Sequence, residues 1–440
     1  MAAIPSPVAH AAGHATVRPL YAWTVFALSF GLMLSDYLTR NVISAVFPML
    51  KVEWALTDGQ LGALVSVVAL VVAIAAIPVA LIADRWGRVK SVTAMATLWC
   101  LATIGCGISQ SYTQMLVARG LVGLGEAGYA SAGGAILVHV FPPERRAVIF
   151  GAFNSAALFG SVAGVALGGA IAVRYGWRAA FISFGAVSLI LVVLYRMLVR
   201  DYATVKLVKA PDAAGGAARH MNAFEIVREV FVARSVVLTY VASGLSMFVM
   251  GVVNAWLPTF FGRYYALPAD KAGLMAAAVI VCAGIGMIVG GGLVDRLGRR
   301  DGRNKLRVPA AYTFGAFALL TTAFALPPGT VQLALLFAGV FVAAGPLGAA
   351  AAVVVDIVHP GLRATATATV VLANNLFGFA PGPVVVGALS DHYGLQAALT
   401  IAPAVGLLAS VFFLLAARHY DRDRGHFAEP PDAAAGNAAR

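Results

Sequence analysis

Stretches of about twenty or more residues with almost no Asp, Glu, Lys or Arg recur between residues 21 and 417, and no other feature limits the chain as much. An apolar run of about 18 residues is long enough to cross a bilayer as a helix. Within the hydrocarbon, only helices and closed barrels satisfy their own backbone polar groups. The runs here lack the two-residue alternation of barrel strands, so they read as helices. Composition agrees: 60% of the 440 residues are apolar and 11% are charged, where a soluble domain carries about 25% charged residues to cover its surface. A soluble globular fold is excluded. Twelve spans of about 22 residues account for the apolar residues and leave short loops with one longer connection.

Windows bounded by Gly, Pro and charge place helices near 21–50, 58–83, 91–109, 113–140, 146–171 and 178–199, then near 235–261, 270–294, 308–326, 330–357, 364–390 and 395–417. The predicted organisation is an N-terminal tail (1–20), a six-helix bundle (21–199), a linker (200–234), a second six-helix bundle (235–417) and a C-terminal tail (418–440). The linker contains PDAAGGAA, with a short surface helix expected near 222–232. The first twenty residues lack the basic, apolar and cleavage regions of a signal peptide, so span one is expected to serve as the anchor.

The net charge of +12 would suit nucleic acid if it were spread over a surface, but it is distributed by topology. With the N-terminus cytoplasmic, 23 of the 31 Lys and Arg fall on the cytoplasmic side, five on the other side and three inside spans. The positive-inside rule then places both termini in the cytoplasm of a cell inner (plasma) membrane protein, with no nucleic-acid partner. Cys100, Cys106 and Cys282 lie in apolar runs without CxxC or His partners, and read as inert thiols rather than metal ligands.

The two halves repeat. ADRWGR at 83–88 returns as VDRLGR at 294–299, RA at 146–147 returns at 363–364, and YG at 175–176 returns at 393–394, in order and at near-constant offset. This pattern is a six-helix unit duplicated in parallel. The loops DRWGRVK and DRLGRR, together with RGLVGLGEAGY in span four, resemble the major facilitator superfamily over the whole chain. The first-half signature usually has Gly where Ala80 stands, while Gly291 keeps it in the second half. Span five carries GSVAGVALGG without the proline common in drug antiporters. Tyr37, Arg40, RGLVGLGEAGY and FPPERRAV resemble the organic anion:cation symporters and, equally, the spinster-type lipid transporters. Both groups usually place an acid directly before the span-one arginine; Thr39 holds that site here and Asp36 is the nearest acid.

Ionisable residues deep in a bilayer are functional candidates because each costs at least about 2.5–3.5 kcal/mol to insert. Asp36, Arg40, Arg119 and Glu126 are the deep ones, all in spans one and four. At 1.5 Å per residue, Asp36 and Glu126 lie about 22 and about 21 Å from their cytoplasmic span ends, with Arg40 and Arg119 at about 28 and about 32 Å. Facing each other, two carboxylates and two guanidiniums sum to zero charge. An organic anion that binds Arg40 in fork geometry would compete with Glu126 or Asp36 for it, leaving the carboxylate to take a proton. Linkage then makes anion and proton travel together. Glu126 and Asp36 are accordingly the proton-coupling candidates. Arg119 either contacts substrate or braces span one through its backbone carbonyls, and Tyr37 either bonds substrate or packs.

In the second half the candidates are Asn374 and Asn375 in span eleven, and in the first half Asn154 in span five is a further substrate contact. Trp256 and Pro258 are expected to wall span seven near the outer gate. His139 and His359 read as interfacial and His392 as a loop residue. Asp84, Arg85 and Arg88, with Asp295, Arg296 and Arg299, sit at the cytoplasmic mouth, where pairs between helix ends would hold an outward-open state. Similar loops serve gating in the resembling family. The glycines of spans four, five and eight provide close helix packing.

The expected fold is an all-α integral membrane protein of twelve transmembrane helices in two six-helix bundles. The expected function is proton-coupled transport of a small organic anion by alternating access, as a monomer in a lipid bilayer, with no cofactor and no metal. Alternatives are a spinster-like carrier of lysolipid or another amphiphile, and, from a different class, a non-transporting receptor or a channel. Without HExxH, a plausible GxSxG or a Walker loop, an enzyme is not expected.

Overall fold

A computed structural model describes residues 19–200, 231–358 and 362–427. Most of the two tails and of the linker, including the surface helix expected at 222–232, lies outside these, as does His359. The described residues form helices throughout, without a strand. In the first half these are α1 (Pro19–Trp54), α2 (Asp58–Trp86), α3 (Arg88–Ile108), α4 (Tyr112–Glu126), α5 (Tyr129–Val140), α6 (Arg146–Tyr175) and α7 (Trp177–Leu198). The second half contains α8 (Arg234–Tyr264), α9 (Ala269–Gly298), α10 (Asn304–Ala325), α11 (Thr330–Ala344), α12 (Ala349–Ile357), α13 (Arg363–Ala373), α14 (Pro381–Tyr393), α15 (Leu395–Ile401) and α16 (Ala404–Phe427). Ten helical stretches among the described residues are long and apolar enough to cross a membrane. Together with α1 and the α4/α5 pair they make the twelve transmembrane segments of two six-helix bundles.

Four spans expected to be continuous are broken, span twelve by a short turn between Ile401 and Ala404. Span four stops at Glu126 and restarts at Tyr129, span ten passes through a 3-10 turn at Gly345–Gly348, and span eleven through a π-helix at Asn374–Phe379. The apolar periodicity runs through each break, so hydropathy does not mark it; local packing and backbone geometry do. The last helix continues to Phe427, past the apolar run that ends near 417, because its polar extension finds partners. Asp423 accepts from the Ser235 backbone N at 2.7 Å and Asp421 pairs with Arg303 at 2.5 Å.

The repeated YG has a backbone cause. Gly176 and Gly394 take φ of +85° and +80° at the turns between spans five and six and spans eleven and twelve, a region that disfavours any residue with a Cβ. Start signals are local as well: Thr57 caps α2 in a capping box with Gln60.

Small residues set how closely helices approach. A Cβ at Gly160 would lie 2.3 Å from the Leu34 carbonyl O, and one at Gly164 would lie 2.4 Å from that of Leu38, so α6 rides directly on the α1 backbone. Gly164→Ala is expected to destabilise the protein by about 1–3 kcal/mol through forced separation of α1 and α6. Gly151→Ala, where nothing lies within 4 Å of the added carbon, is the control. Thermal unfolding of the purified variants in detergent checks this, and equal melting of the two would refute the packing argument.

The halves meet along α2 with α14, α6 with α9 and α1 with α8. The closest backbone-to-backbone approaches on the first two seams, at Gly62 with Pro383, Gly387 with Asp58, and Gly169 with Ala269, are near the end distal to the chain termini, while Gly284 meets the Leu158 side chain midway along α6 and α9. Phe47 stacks on Trp256 at 5.3 Å there, and the Trp256 indole N–H donates to the Pro383 carbonyl. The apolar core follows the same division. One cluster runs through the first half and across into the distal part of the second, while a separate cluster fills the terminus-bearing end of the second half. The two halves are joined at the distal end.

Candidate functional site

Helix α1 changes its burial along its length. Residues 42–47 are buried on every face, so the distal part of α1 is sealed. From residue 41 back toward the terminus, one face opens, and Tyr37 and Arg40 are half-buried on it. Arg40 thus lies where the sealed stretch of α1 gives way, toward the chain termini, to a partly exposed face.

Glu126 ends α4 at the break in span four, and that break is held from two sides. At Gly125 an added Cβ would lie 2.7 Å from the Trp99 backbone N, so α4 is pressed onto α3. Just past the break, the Tyr129 hydroxyl donates to the Ser29 carbonyl of α1 at 2.7 Å. Glu126 is thereby presented to Asp36 and Arg40. Glu126 Oε2 lies 3.7 Å from Arg40 Nη1, an ionic contact too long for a hydrogen bond. The Asp36 and Glu126 carboxyl groups are neighbours close enough to interact electrostatically. Both are buried, at 6% and 7% exposure. Neither Glu126 oxygen receives a hydrogen bond from a donor group, nor does Asp36 Oδ1. A single proton held between the two carboxyls would supply the missing donor.

The two arginines, alike in sequence, have different surroundings. Arg119 is 1% exposed and donates from Nε to the Leu64 carbonyl at 3.0 Å, from Nη2 to that of Arg40 at 3.2 Å and from Nη1 to that of Thr39 at 3.5 Å. It clamps α1 and α2 together and is closed off from any solute. The Arg40 side chain is 22% exposed, and its contact with Glu126 leaves the planar fork of N–H groups without a tight partner.

Across the interface, Asn374 begins the π-helix of span eleven, a distortion frequent at functional sites. It is half-buried, and its Oδ1 accepts from the Ser243 hydroxyl of α8 at 2.7 Å. Asn375 is buried at 8% and donates to the Val371 carbonyl of its own helix. Asn154 is exposed and donates to Phe150 O, likewise within its own helix. The structure therefore gathers Asp36, Arg40 and Glu126, puts Arg119 behind them, and leaves Asn154 and Asn375 bonded along their own helices.

At the terminus-bearing end, the side chains of Asp84, Arg85 and His139 lie outside the description. Arg88 is half-buried, while Asp295, Arg296 and Arg299 are exposed and form no ion pair among the described residues. Ion pairing across the halves is found instead at the distal end, around Asp58, which sequence reasoning missed. Asp58 is 2% exposed and bonds Arg263 and Ser390, 205 and 332 residues away. Locally it reads as an acid in the first turn of a helix. The one available signal is the repeat, which puts Asp270 at the matching start of α9.

Residues 28–380 match the signature of the Major Facilitator Superfamily. An "MFS-type efflux pump" of Mycolicibacterium smegmatis is 29% identical over 94% of this chain and 96% of its own length. A "Probable L-galactonate transporter" of Escherichia coli is 28% identical over 62% of each chain. In fold, the chain is similar to a bacterial homolog of the human lysosomal transporter Spinster, crystallised inward-facing and unoccupied, at a TM-score of 0.82 and 21% identity over 94% of this chain and all of that one. The chain belongs to the Major Facilitator Superfamily and is a multi-pass membrane transporter of its twelve-helix fold.

Proposed function

We propose that this transporter carries a small organic anion, a carboxylate, together with a proton. The observation that carries the reading is the half-exposed Arg40 fork, set against two buried carboxyls that no donor satisfies. A carboxylate entering along the partly exposed face would take the guanidinium in bidentate geometry, which Glu126 at 3.7 Å leaves unoccupied. Glu126 then loses its counter-charge, and a proton shared with Asp36 restores neutrality in the low-dielectric centre. Asn374, on the opposing half, would offer a second polar contact as the halves close. The named relative with an aldonate as its cargo is consistent with a carboxylate.

The charge asymmetry supports an orientation with both termini in the cytoplasm of the inner membrane, so the present conformation is inward-open. Asp84, Arg85, Arg88, Asp295, Arg296 and Arg299 would then pair in the outward-open state. A second reading is favoured by a 26% identical relative named "Sphingosine-1-phosphate transporter SPNS2": the cargo is an amphiphile whose anionic head group uses the same arginine.

Arg40→Lys is the test. Replacing the planar fork by a point charge is expected to weaken anion binding by at least about tenfold, with the fold retained. Binding by the purified protein and uptake into proteoliposomes, with labelled sugar acids, aromatic acids and lysolipids as probes, check it. Undiminished affinity in the variant would remove Arg40 from the binding site, and uptake of lysolipid alone would favour the second reading.

A further inference from the structure

The distal end holds a second buried acid whose partners lie mostly on the other half. Asp58 opens α2 in the first half. Arg263 of α8 grips both of its oxygens at 2.6 Å, and Ser390 of α14 donates to it at 2.5 Å. Lys51, on Asp58's own half, reaches it at 2.5 Å. In return, Asp391 of α14 accepts from the backbone N–H groups of Asp58 and Gly59 at 2.6 and 2.8 Å, capping α2 from across the interface. The backbones touch around this cluster. A Cβ at Gly62 would lie 2.3 Å from the Pro383 carbonyl O, and one at Gly387 equally close to that of Asp58.

We propose that Asp58 is the centre of an interdomain lock, with Arg263, Ser390 and Asp391, that holds the transporter closed at its distal end and must release for that end to open. Every bond named except the one to Lys51 crosses between the halves, so opening breaks them together. Lys51 moves with Asp58. It keeps the carboxylate paired after Arg263 has left, so the open state does not strand a bare charge in a partly dry site. The lock is an equilibrium device: it favours one of two conformations by whatever interaction it makes in that one alone. It depends on alternating access and not on which solute or ion the central site takes.

Double electron–electron resonance tests it on the full chain in lipid nanodiscs. Spin labels go at Val52→Cys and Val331→Cys, exposed distal positions on the two halves at 85% and 65%, with Cys282→Ala to remove the partly exposed native thiol. Without added solute, the parent is expected to show mainly the short distance. Asp58→Asn and Arg263→Gln are expected to raise the ratio of long to short distances at least about tenfold, since breaking a buried charge pair commonly costs more than that factor represents. Lys51→Gln, lacking a bond across the interface, is expected to shift the ratio far less. Distance ratios within about twofold of the parent in both Asp58→Asn and Arg263→Gln would overturn the lock, as would an equal shift in all three variants. If Asp58→Asn does not reach the membrane, Ser390→Ala with Arg263→Gln decides the matter on the same criterion.

Discussion

Glu126→Gln is expected to abolish solute accumulation driven by a proton gradient while leaving counterflow exchange of the same solute detectable. An amide has the shape of a protonated carboxyl, and its NH2 can donate to the Asp36 carboxylate, in place of a bridging proton. Arg40 then has no competing charge on Glu126, so the anion binds whatever the proton concentration. Loaded carriers still reorient and exchange, but no proton is bound and released in the cycle. Proteoliposomes with an imposed pH difference measure the first activity, and preloaded vesicles at uniform pH measure the second. The loss of net accumulation should be nearly complete where the amide satisfies Asp36 as a carboxylate, because proton binding is then no longer linked to the anion at Arg40. If both activities survive unchanged, Glu126 serves only to neutralise Arg40. Asp36→Asn in the same assays then shows whether its partner alone holds the proton.

The second large effect concerns Arg119. Its guanidinium binds three backbone carbonyls on two helices and is 1% exposed. Arg119→Ala removes the second hydrogen bond from each of those mid-helix carbonyls and opens a void between α1, α2 and α4, for an expected cost of about 3–5 kcal/mol. That should appear as a fall of several degrees in the unfolding temperature of the purified protein and as reduced amounts in the membrane. Arg119→Lys keeps the charge, but a single ammonium cannot span carbonyls that lie in different directions, so most of the loss should remain. The contrast with Arg40 is the informative part: Arg40→Lys should weaken binding without lowering thermal stability, and Arg119→Lys should lower stability first. An Arg119→Ala variant that melts with the parent would overturn the clamp.

Taken together, these outcomes describe a centre in which a single cation is left free to exchange partners. The deep charges sum to zero, yet only Arg40 has both solvent access and an ionic contact beyond hydrogen-bond length. Arg119 is committed to main-chain carbonyls, and three of the four carboxyl oxygens of Asp36 and Glu126 lie buried without a donor. Binding energy can be transferred from Glu126 to a solute at Arg40 without dismantling the helix contacts around it. At the distal end the logic is reversed: Asp58 is held at four points, and its release is the conformational change itself.

Much of this was present in the order of residues. The spans, the duplication and the location of the deep charges in spans one and four follow from hydropathy, repeated motifs and a rise of 1.5 Å per residue, properties of adjacent residues that need no tertiary information. Even the repeated YG carried its structural reason, a turn that only glycine enters without strain. The broken helices did not show, because apolar character continues through Glu126, Gly345 and Asn374 while neighbouring helices and local backbone geometry interrupt the regular hydrogen bonding. Arg40 and Arg119 could not be told apart by depth. The fold turns one into a seam between helices and the other toward an opening. The Asp58 cluster was hidden because its partners on the other half lie hundreds of residues away, and only the meeting of two separately legible halves brings those charges within bonding distance.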